Sequence, residues 1–168
     1  SSTSFFASAS VEPCQFIEEL IWQGSTEAEA KKEVELCSDR LVYYAGWSDK
    51  YQQIFSTVNP VASSHFNFSM LEPVGVVAIL ADEQTSLLGL ISLMAPVIVG
   101  GNTCVILGSS LKPLCSVSFA EVLNSSDVPS GVVNILTGFR KELLSQFASH
   151  MEIMAVALAS QSKEEKST

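Results

Sequence analysis

Positive charge is scarce in this sequence. It has 9 Lys and Arg against 18 Asp and Glu, which gives a formal net charge of −9 at pH 7. Such a balance repels the phosphates of nucleic acids and of anionic membranes, so we expect no nucleic-acid partner. Charged residues make up only 16% of the chain and hydrophobic residues 47%, which indicates a globular protein with a real core.

Long apolar runs are also missing. The stretch from Leu87 to Val99 is too short to cross a bilayer and contains Pro96, so no transmembrane segment is predicted. The opening letters SSTSFFASAS have neither a basic start nor a long apolar run, and they do not resemble a signal peptide.

Paired cysteines are absent. The sequence has four cysteines and no CxxC motif. They are Cys14, Cys37, Cys104 and Cys115. Each lies in an apolar or helical context, which favours reduced thiols and predicts a cytoplasmic location.

No known catalytic or phosphate-binding motif stands out. GxSxG, Walker A, GxGxxG and HExxH are all absent, and His65 and His150 are far apart, so no metal site is predicted. Cys104 lies in a strand-like run and is interpreted as a core residue. Asp82 and Glu83 are adjacent, would point in different directions, and are interpreted as solvated loop residues.

The first 72 residues predict helices and one short strand. A helix is expected from about Val11 to Gln23, and a second begins with the capping-box pattern at 26–29 and ends near Gly46. Phe66, Phe68 and Met70 alternate with polar or small neighbours, which predicts a strand with one apolar face. Trp47, beside two tyrosines, either packs the end of the second helix or forms a binding platform.

From residue 74 onward, strand-like and helix-like runs alternate. The strand-like runs are VGVVAIL, TCVIL, VVNILTG and MEIMAVALA, and helix-like runs separate them. This alternation predicts an α/β fold: a partial Rossmann-like parallel sheet with flanking helices, preceded by the N-terminal helices and the short strand. The order of the strands within the sheet does not follow from the pattern.

Four stretches of the chain carry distinctive motifs. They are DRLVYYAGWSDK at 39–50, FNFS at 66–69 followed by EPVGVV at 72–77, GNTCVI at 101–106, and DVPSGVVNILTG at 127–138. In content, order and spacing these stretches resemble the aldehyde dehydrogenase superfamily. The resemblance covers roughly residues 15 to 160. It is closest to the divergent second domain of the aldehyde dehydrogenase 16 family, on the residues Asp82-Glu83, 86–96 and 126–129.

The resemblance implies a truncated dehydrogenase architecture and divides the chain into three parts. Residues 1–72 would form N-terminal helices and an oligomerisation-type strand, 73–160 a partial dinucleotide-binding-like βα domain, and 161–168 a solvated tail. The family's nucleophilic Cys and general-base Glu would lie beyond this segment, so no catalytic residue is assigned. We expect the partial sheet to leave an apolar edge that invites self-association or a protein partner.

The departures from the family pattern fall where the family binds its cofactor. Gln84 stands at the Asn of "PWNFP", which helps to hold the oxyanion. Leu107 and Ser110 stand at the Lys and Glu of "KPSE", which contact the adenosine ribose. Ser160 stands at the glycine of "FTGST", which approaches the pyrophosphate. These four positions are therefore degenerate counterparts of a cofactor site. No cofactor is expected to bind, and if one does bind, the resemblance implies NAD.

The leading hypothesis is a non-catalytic aldehyde-dehydrogenase-like domain with a structural or protein-interaction role. The alternative is the NAD-binding part of an aldehyde oxidoreductase, which would oxidise aldehydes to carboxylic acids together with a catalytic domain elsewhere. A redox-sensing thiol protein is a third class, which no motif in the sequence supports.

Overall fold

The computed structural model describes residues 13–159. The elements in chain order are α1 (Pro13–Trp22), α2 (Glu27–Ser48), α3 (Tyr51–Phe55), β1 (Thr57–Asn59), β2 (Asn67–Ser69), β3 (Val76–Leu80), α4 (Leu88–Val99), β4 (Thr103–Leu107), α5 (Leu114–Ser125), β5 (Val133–Leu136), α6 (Arg140–Ser149) and β6 (Ile153–Leu158). The prediction of N-terminal helices followed by alternating strands and helices is confirmed.

Local signals place the N-terminal helices. Gly24, with φ of +94°, follows α1 and turns the chain toward α2. The capping box at the start of α2 is present, because the Glu29 amide donates to Thr26 Oγ1 and the Glu29 carboxylate accepts from the Thr26 amide. These bonds satisfy backbone donors that the first turn of a helix leaves unpaired.

Strand β1 is an element that the sequence did not predict. Residues 56–65 have the composition of a loop, yet Thr57–Asn59 pairs antiparallel with Asn67–Ser69. The amide of Asn59 adds side-chain hydrogen bonds to Asn67 and Ser69 across this pair. The predicted strand near Phe68 is therefore one arm of a two-stranded hairpin.

The four remaining strands form one parallel sheet in the order β5-β4-β3-β6. The chain passes from β3 to β4 to β5 in one direction and then crosses back, so that β6 pairs with the other side of β3. Helices cover both faces, and the predicted fold class is confirmed: similar parallel sheets with flanking helices occur in known structures, as described below.

Two apolar clusters fill the spaces between the sheet and its helices. The larger lies under α4 and α5 and continues to α1 and α2. The smaller lies under α6 and contains Ala78, Leu80, Leu107 and Phe147. Burial of this apolar surface on both faces of a parallel sheet is the main source of stability in such a domain.

Side-chain hydrogen bonds fix two junctions of the fold. Asn102 Oδ1 accepts from the amides of Val74 (2.7 Å) and Gly75 (3.1 Å), which sets where β3 begins beside β4. Glu33 on α2 accepts from the amides of Leu87 and Leu88, both at 3.0 Å, which caps α4 and ties it to the N-terminal helices. The Glu33 contacts thereby fix the end of the loop that follows β3.

Candidate functional site

The candidate site is a cleft at the carboxyl ends of β3 and β6. The strand order reverses between these two strands, and in open α/β sheets ligands bind in the crevice at such a switch point. The cleft has a volume of about 690 Å³. Its lining residues are Asp82, Glu83, Gln84, Thr85, Leu88, Gly89, Arg140 and Ala159.

Three of the four positions singled out in the sequence lie within the described residues, and these three do not come together in this cleft. Gln84 is exposed at its wall, and Ser110 is half-buried in the loop after β4. Leu107 points into the cluster under α6 and is only 2% exposed. Ser160 lies outside the described residues. The structure thus brings Gln84 to the cleft and places Leu107 in the core.

The loop after β3 is tightly structured. Asp82 accepts hydrogen bonds from the amide of Thr85 (3.2 Å) and from its hydroxyl (3.3 Å). Gly89, in the first turn of α4, lies so close that a Cβ there would come within 2.3 Å of Thr85 Oγ1. Only glycine allows the helix to start this close to the loop.

The Glu83 carboxylate accepts several hydrogen bonds from the loop after β4. Its Oε2 accepts from the Ser110 amide at 2.8 Å, the Ser110 hydroxyl at 3.0 Å and the Ser109 hydroxyl at 3.3 Å. The Leu111 amide lies at 3.4 Å from the same oxygen. The interpretation of Asp82 and Glu83 as solvated loop residues is therefore wrong, because both carboxylates are bound by hydrogen-bond donors.

Arg140 lies on the other side of the Glu83 carboxylate. Its Nε is 3.8 Å from Glu83 Oε1, and the two side chains are 13% and 23% exposed. The guanidinium also donates to the backbone oxygen of Ala81 at the end of β3. Such a partly buried pair, with hydrogen bonds on both partners, is held more firmly than a solvent-exposed ion pair.

Sequence reasoning missed this contact between two loops and the start of α6 because its members are far apart in the chain. One signal was available. The carboxyl ends of neighbouring parallel strands meet at one edge of a sheet, and Glu83 and Ser109-Ser110 each follow such a strand. This rule places an acid after one strand close to two hydroxyls after the next, a pairing that the sequence interpretation of Glu83 did not make.

The described cysteines differ in accessibility. Cys37, Cys104 and Cys115 are buried, and Cys14 is exposed. Burial raises the pKa of the Cys104 thiol to about 12 and that of Cys115 to about 11, and burial likewise raises the pKa of Cys37. Because only the thiolate is nucleophilic, these three thiols are inert at neutral pH. The interpretation of Cys104 as a core residue is confirmed.

We expect only Cys14 to react quickly with a disulfide reagent at pH 8. The three buried thiols should react at least about a hundredfold more slowly, because their thiolate fraction and their access are both low. Counting the thiols released with time checks this, and Cys14→Ser should remove the fast phase. A fast phase that survives in Cys14→Ser would show a reactive buried thiol and revive the redox-sensor hypothesis.

Two further classes of site are not found in the part of the chain that the structure covers. Within residues 13–159, no helix has the length and apolar character needed to cross a membrane. Over the same range, no group of three or more His, Cys, Asp or Glu side chains converges as metal ligands do.

Comparison with known proteins gives one consistent result. A sequence model described as "Aldehyde dehydrogenase family" matches residues 16–164. Retinal dehydrogenase 2 of Gallus gallus is 36% identical over 117 residues, which are 70% of this chain and 22% of the relative. Hydroxyisobutyraldehyde dehydrogenase of Mycolicibacterium austroafricanum is 33% identical over 116 residues, 69% of this chain and 22% of the relative.

Solved structures agree with the fold. An aldehyde dehydrogenase from Bacillus cereus superposes with a TM-score of 0.83 at 25% identity, covering 94% of this chain and 33% of that protein. An NAD-dependent aldehyde dehydrogenase from Sinorhizobium meliloti gives a TM-score of 0.85 at 23% identity, covering 94% of this chain and 32% of that protein. The chain spans about a quarter of the length of the curated relatives it matches.

Proposed function

This chain belongs to the aldehyde dehydrogenase family, and from that premise we propose that it is a non-catalytic aldehyde-dehydrogenase-like domain with a structural or protein-interaction role. In this proposal the cleft at the ends of β3 and β6 keeps the shape of a cofactor cleft and does not hold the cofactor. The observation that carries the proposal is the Glu83 carboxylate, which takes up the donors of the neighbouring loop.

The position of Leu107 supports the same proposal. The family has at this place a lysine that contacts the adenosine ribose. Leu107 offers no donor, and its side chain packs in the cluster under α6. A cofactor entering this cleft would find neither the ammonium group nor an unoccupied set of amides after β4.

The interaction role is supported by an apolar surface on the hairpin. We define the hairpin patch as the side chains of Val58, Phe66, Phe68 and Met70, which are 54% to 75% exposed. Phe66 and Phe68 lie with their ring centroids 5.4 Å apart. A contiguous exposed patch of this kind marks an interaction surface, and we propose a second copy of the chain as its partner.

Finer assignments are part of the same proposal. We assign the chain to the divergent second domain of the aldehyde dehydrogenase 16 family, with the parts 1–72, 73–160 and 161–168. A cytoplasmic location is proposed because one relative is "Aldehyde dehydrogenase, cytosolic 1" of Elephantulus edwardii, 29% identical over 125 residues.

A second candidate function is the NAD-binding part of an aldehyde oxidoreductase. Two observations favour it. The cleft is open at the switch point of the sheet. The Glu83 carboxylate also lies 2.8 Å from the Ser110 amide, so an acid stands close to the place where the family's ribose-binding Glu is expected. In this alternative, Glu83 would accept hydrogen bonds from the ribose.

A calorimetric titration with NAD and NADH separates the two functions. We expect no saturable heat up to about 1 mM cofactor, which corresponds to a binding free energy weaker than about −4 kcal/mol. Circular dichroism before the titration establishes that the chain is folded, and an active aldehyde dehydrogenase serves as the positive control. Saturation in the micromolar range would contradict the proposal and favour the oxidoreductase.

A further inference from the structure

The loop after β4 presents several hydrogen-bond donors to one point. Two successive backbone amides, those of Ser110 and Leu111, and the hydroxyls of Ser109 and Ser110 all lie within 3.4 Å of Glu83 Oε2. Successive amides and hydroxyls that converge in this way form a concavity that suits an oxyanion. The Ser109 hydroxyl lies closer to the Glu83 backbone oxygen, at 3.0 Å, than to Oε2, so Ser110 and Leu111 supply the donors that are directed at the carboxylate alone.

The charge at this point also suits an anion. The Arg140 guanidinium approaches the same carboxylate from the opposite side, with its Nε at 3.8 Å from Oε1, and is 13% exposed. Its further bond to the Ala81 carbonyl holds it at the end of β3. Donors from one strand end and a guanidinium from α6 therefore surround a single anionic group, and in this chain that group is Glu83.

We propose that the donors of Ser110 and Leu111, together with Arg140, form an oxyanion site of the phosphate class, which Glu83 occupies as an internal competitor. This inference rests on the proposed function and extends it, because a carboxylate bound in the site would keep a phosphate-bearing cofactor out of the cleft. The backbone around Glu83 is held by the Asp82–Thr85 bonds and by the bond from Ser86 to the Lys112 carbonyl. Release of the carboxylate therefore requires rotation of its side chain and the loss of its contacts with Ser110, Leu111 and Arg140, and it leaves the backbone bonds of the loop in place.

Removal of the carboxylate should open the site to inorganic pyrophosphate. We expect Glu83→Ala to bind pyrophosphate at least about tenfold more tightly than the parent chain, because charge-assisted bonds to amides and guanidinium become available to the ligand. Glu72→Ala is the matched control, since it removes the same charge at an exposed position away from the cleft. Both variants and the parent are titrated by calorimetry at one salt concentration.

Further variants make the test decisive. Glu83→Ala/Arg140→Lys should lose most of the gain, because lysine cannot reproduce the guanidinium geometry. Glu83→Gln, which keeps the shape of the side chain, should shift the amide proton resonances of Ser110 and Leu111 upfield and tighten pyrophosphate binding by about threefold. If Glu83→Ala does not fold, the Glu83→Gln titration decides.

Two outcomes would overturn the inference. One is a folded Glu83→Ala chain that binds pyrophosphate no better than Glu72→Ala. The other is a Glu83→Gln chain whose Ser110 and Leu111 amide resonances do not move. Failure of the proposed function appears separately, as saturable binding of NAD to the unchanged chain.

Discussion

Leu107→Lys should lower the free energy of unfolding by about 3 kcal/mol or more, because it places an ammonium group without a partner in an apolar cluster. Leu107 is 2% exposed and packs with Ala78, Leu80 and Phe147 under α6. From the family pattern alone, the same substitution restores a cofactor-binding residue and should raise NAD affinity. The burial of Leu107 instead predicts a loss of stability. Urea denaturation followed by circular dichroism measures the change.

Leu107→Met is the matched control for this prediction. It keeps an apolar side chain of similar volume and should cost less than about 1.5 kcal/mol. Burial lowers the pKa of a lysine in the folded state, so the loss of stability should be largest below that lowered pKa and should shrink as the pH rises toward about 10. A Leu107→Lys chain that is as stable as the parent and binds NAD would show that this position can face the cleft.

Phe68→Asp should raise the dissociation constant of the self-associated chain by at least about a hundredfold, the equivalent of about 2.7 kcal/mol. Phe68 is 54% exposed on the hairpin patch and lies against Phe66. Burial of two aromatic rings between copies accounts for an effect of this size, and a charge at the centre of the patch would be desolvated without a partner. Sedimentation velocity over a range of concentrations gives the constant.

Met151→Asp controls for the added charge. Met151 is 89% exposed beside β6, far along the chain from the hairpin, and its replacement should leave the dissociation constant unchanged. A parent chain that stays monomeric at about 100 µM, where association would be weaker than about −5.5 kcal/mol, would contradict self-association. Equal effects of Phe68→Asp and Met151→Asp would show that the hairpin patch is not the interface.

The elements that the sequence predicts are those determined by residues close together in the chain. The capping box at Thr26 and Glu29 needs only residues three positions apart, and the sequence predicts it. Strands β3 and β4 consist of β-branched and apolar residues between helix-like runs, and they too are predicted. The strand order was not predictable, because it depends on long-range pairings such as that of Val77 with Ala155, which no local pattern encodes.

The candidate site was predictable only in its location. The βα alternation indicates a crevice at the strand ends, and the crevice is there. The contact of Glu83 with Ser110 joins residues 27 positions apart, and Arg140 comes from the start of α6. The family comparison directs attention to Leu107, which is a core residue here. The role of a charged residue whose partners follow other strands can be inferred only when the fold is known.

The crossover that places β6 beside β3 affects the order in which the sheet assembles. Strands β3, β4 and β5 follow one another with single helices between them, whereas the register partners Val76 and Ile153 lie at opposite ends of the domain sequence. Closing so long a loop costs more chain entropy than the earlier pairings, so β6 should join a preformed three-stranded core. The last strand to join is then the first to detach, and the cleft would lose one wall in a partial opening that leaves β3–β5 intact.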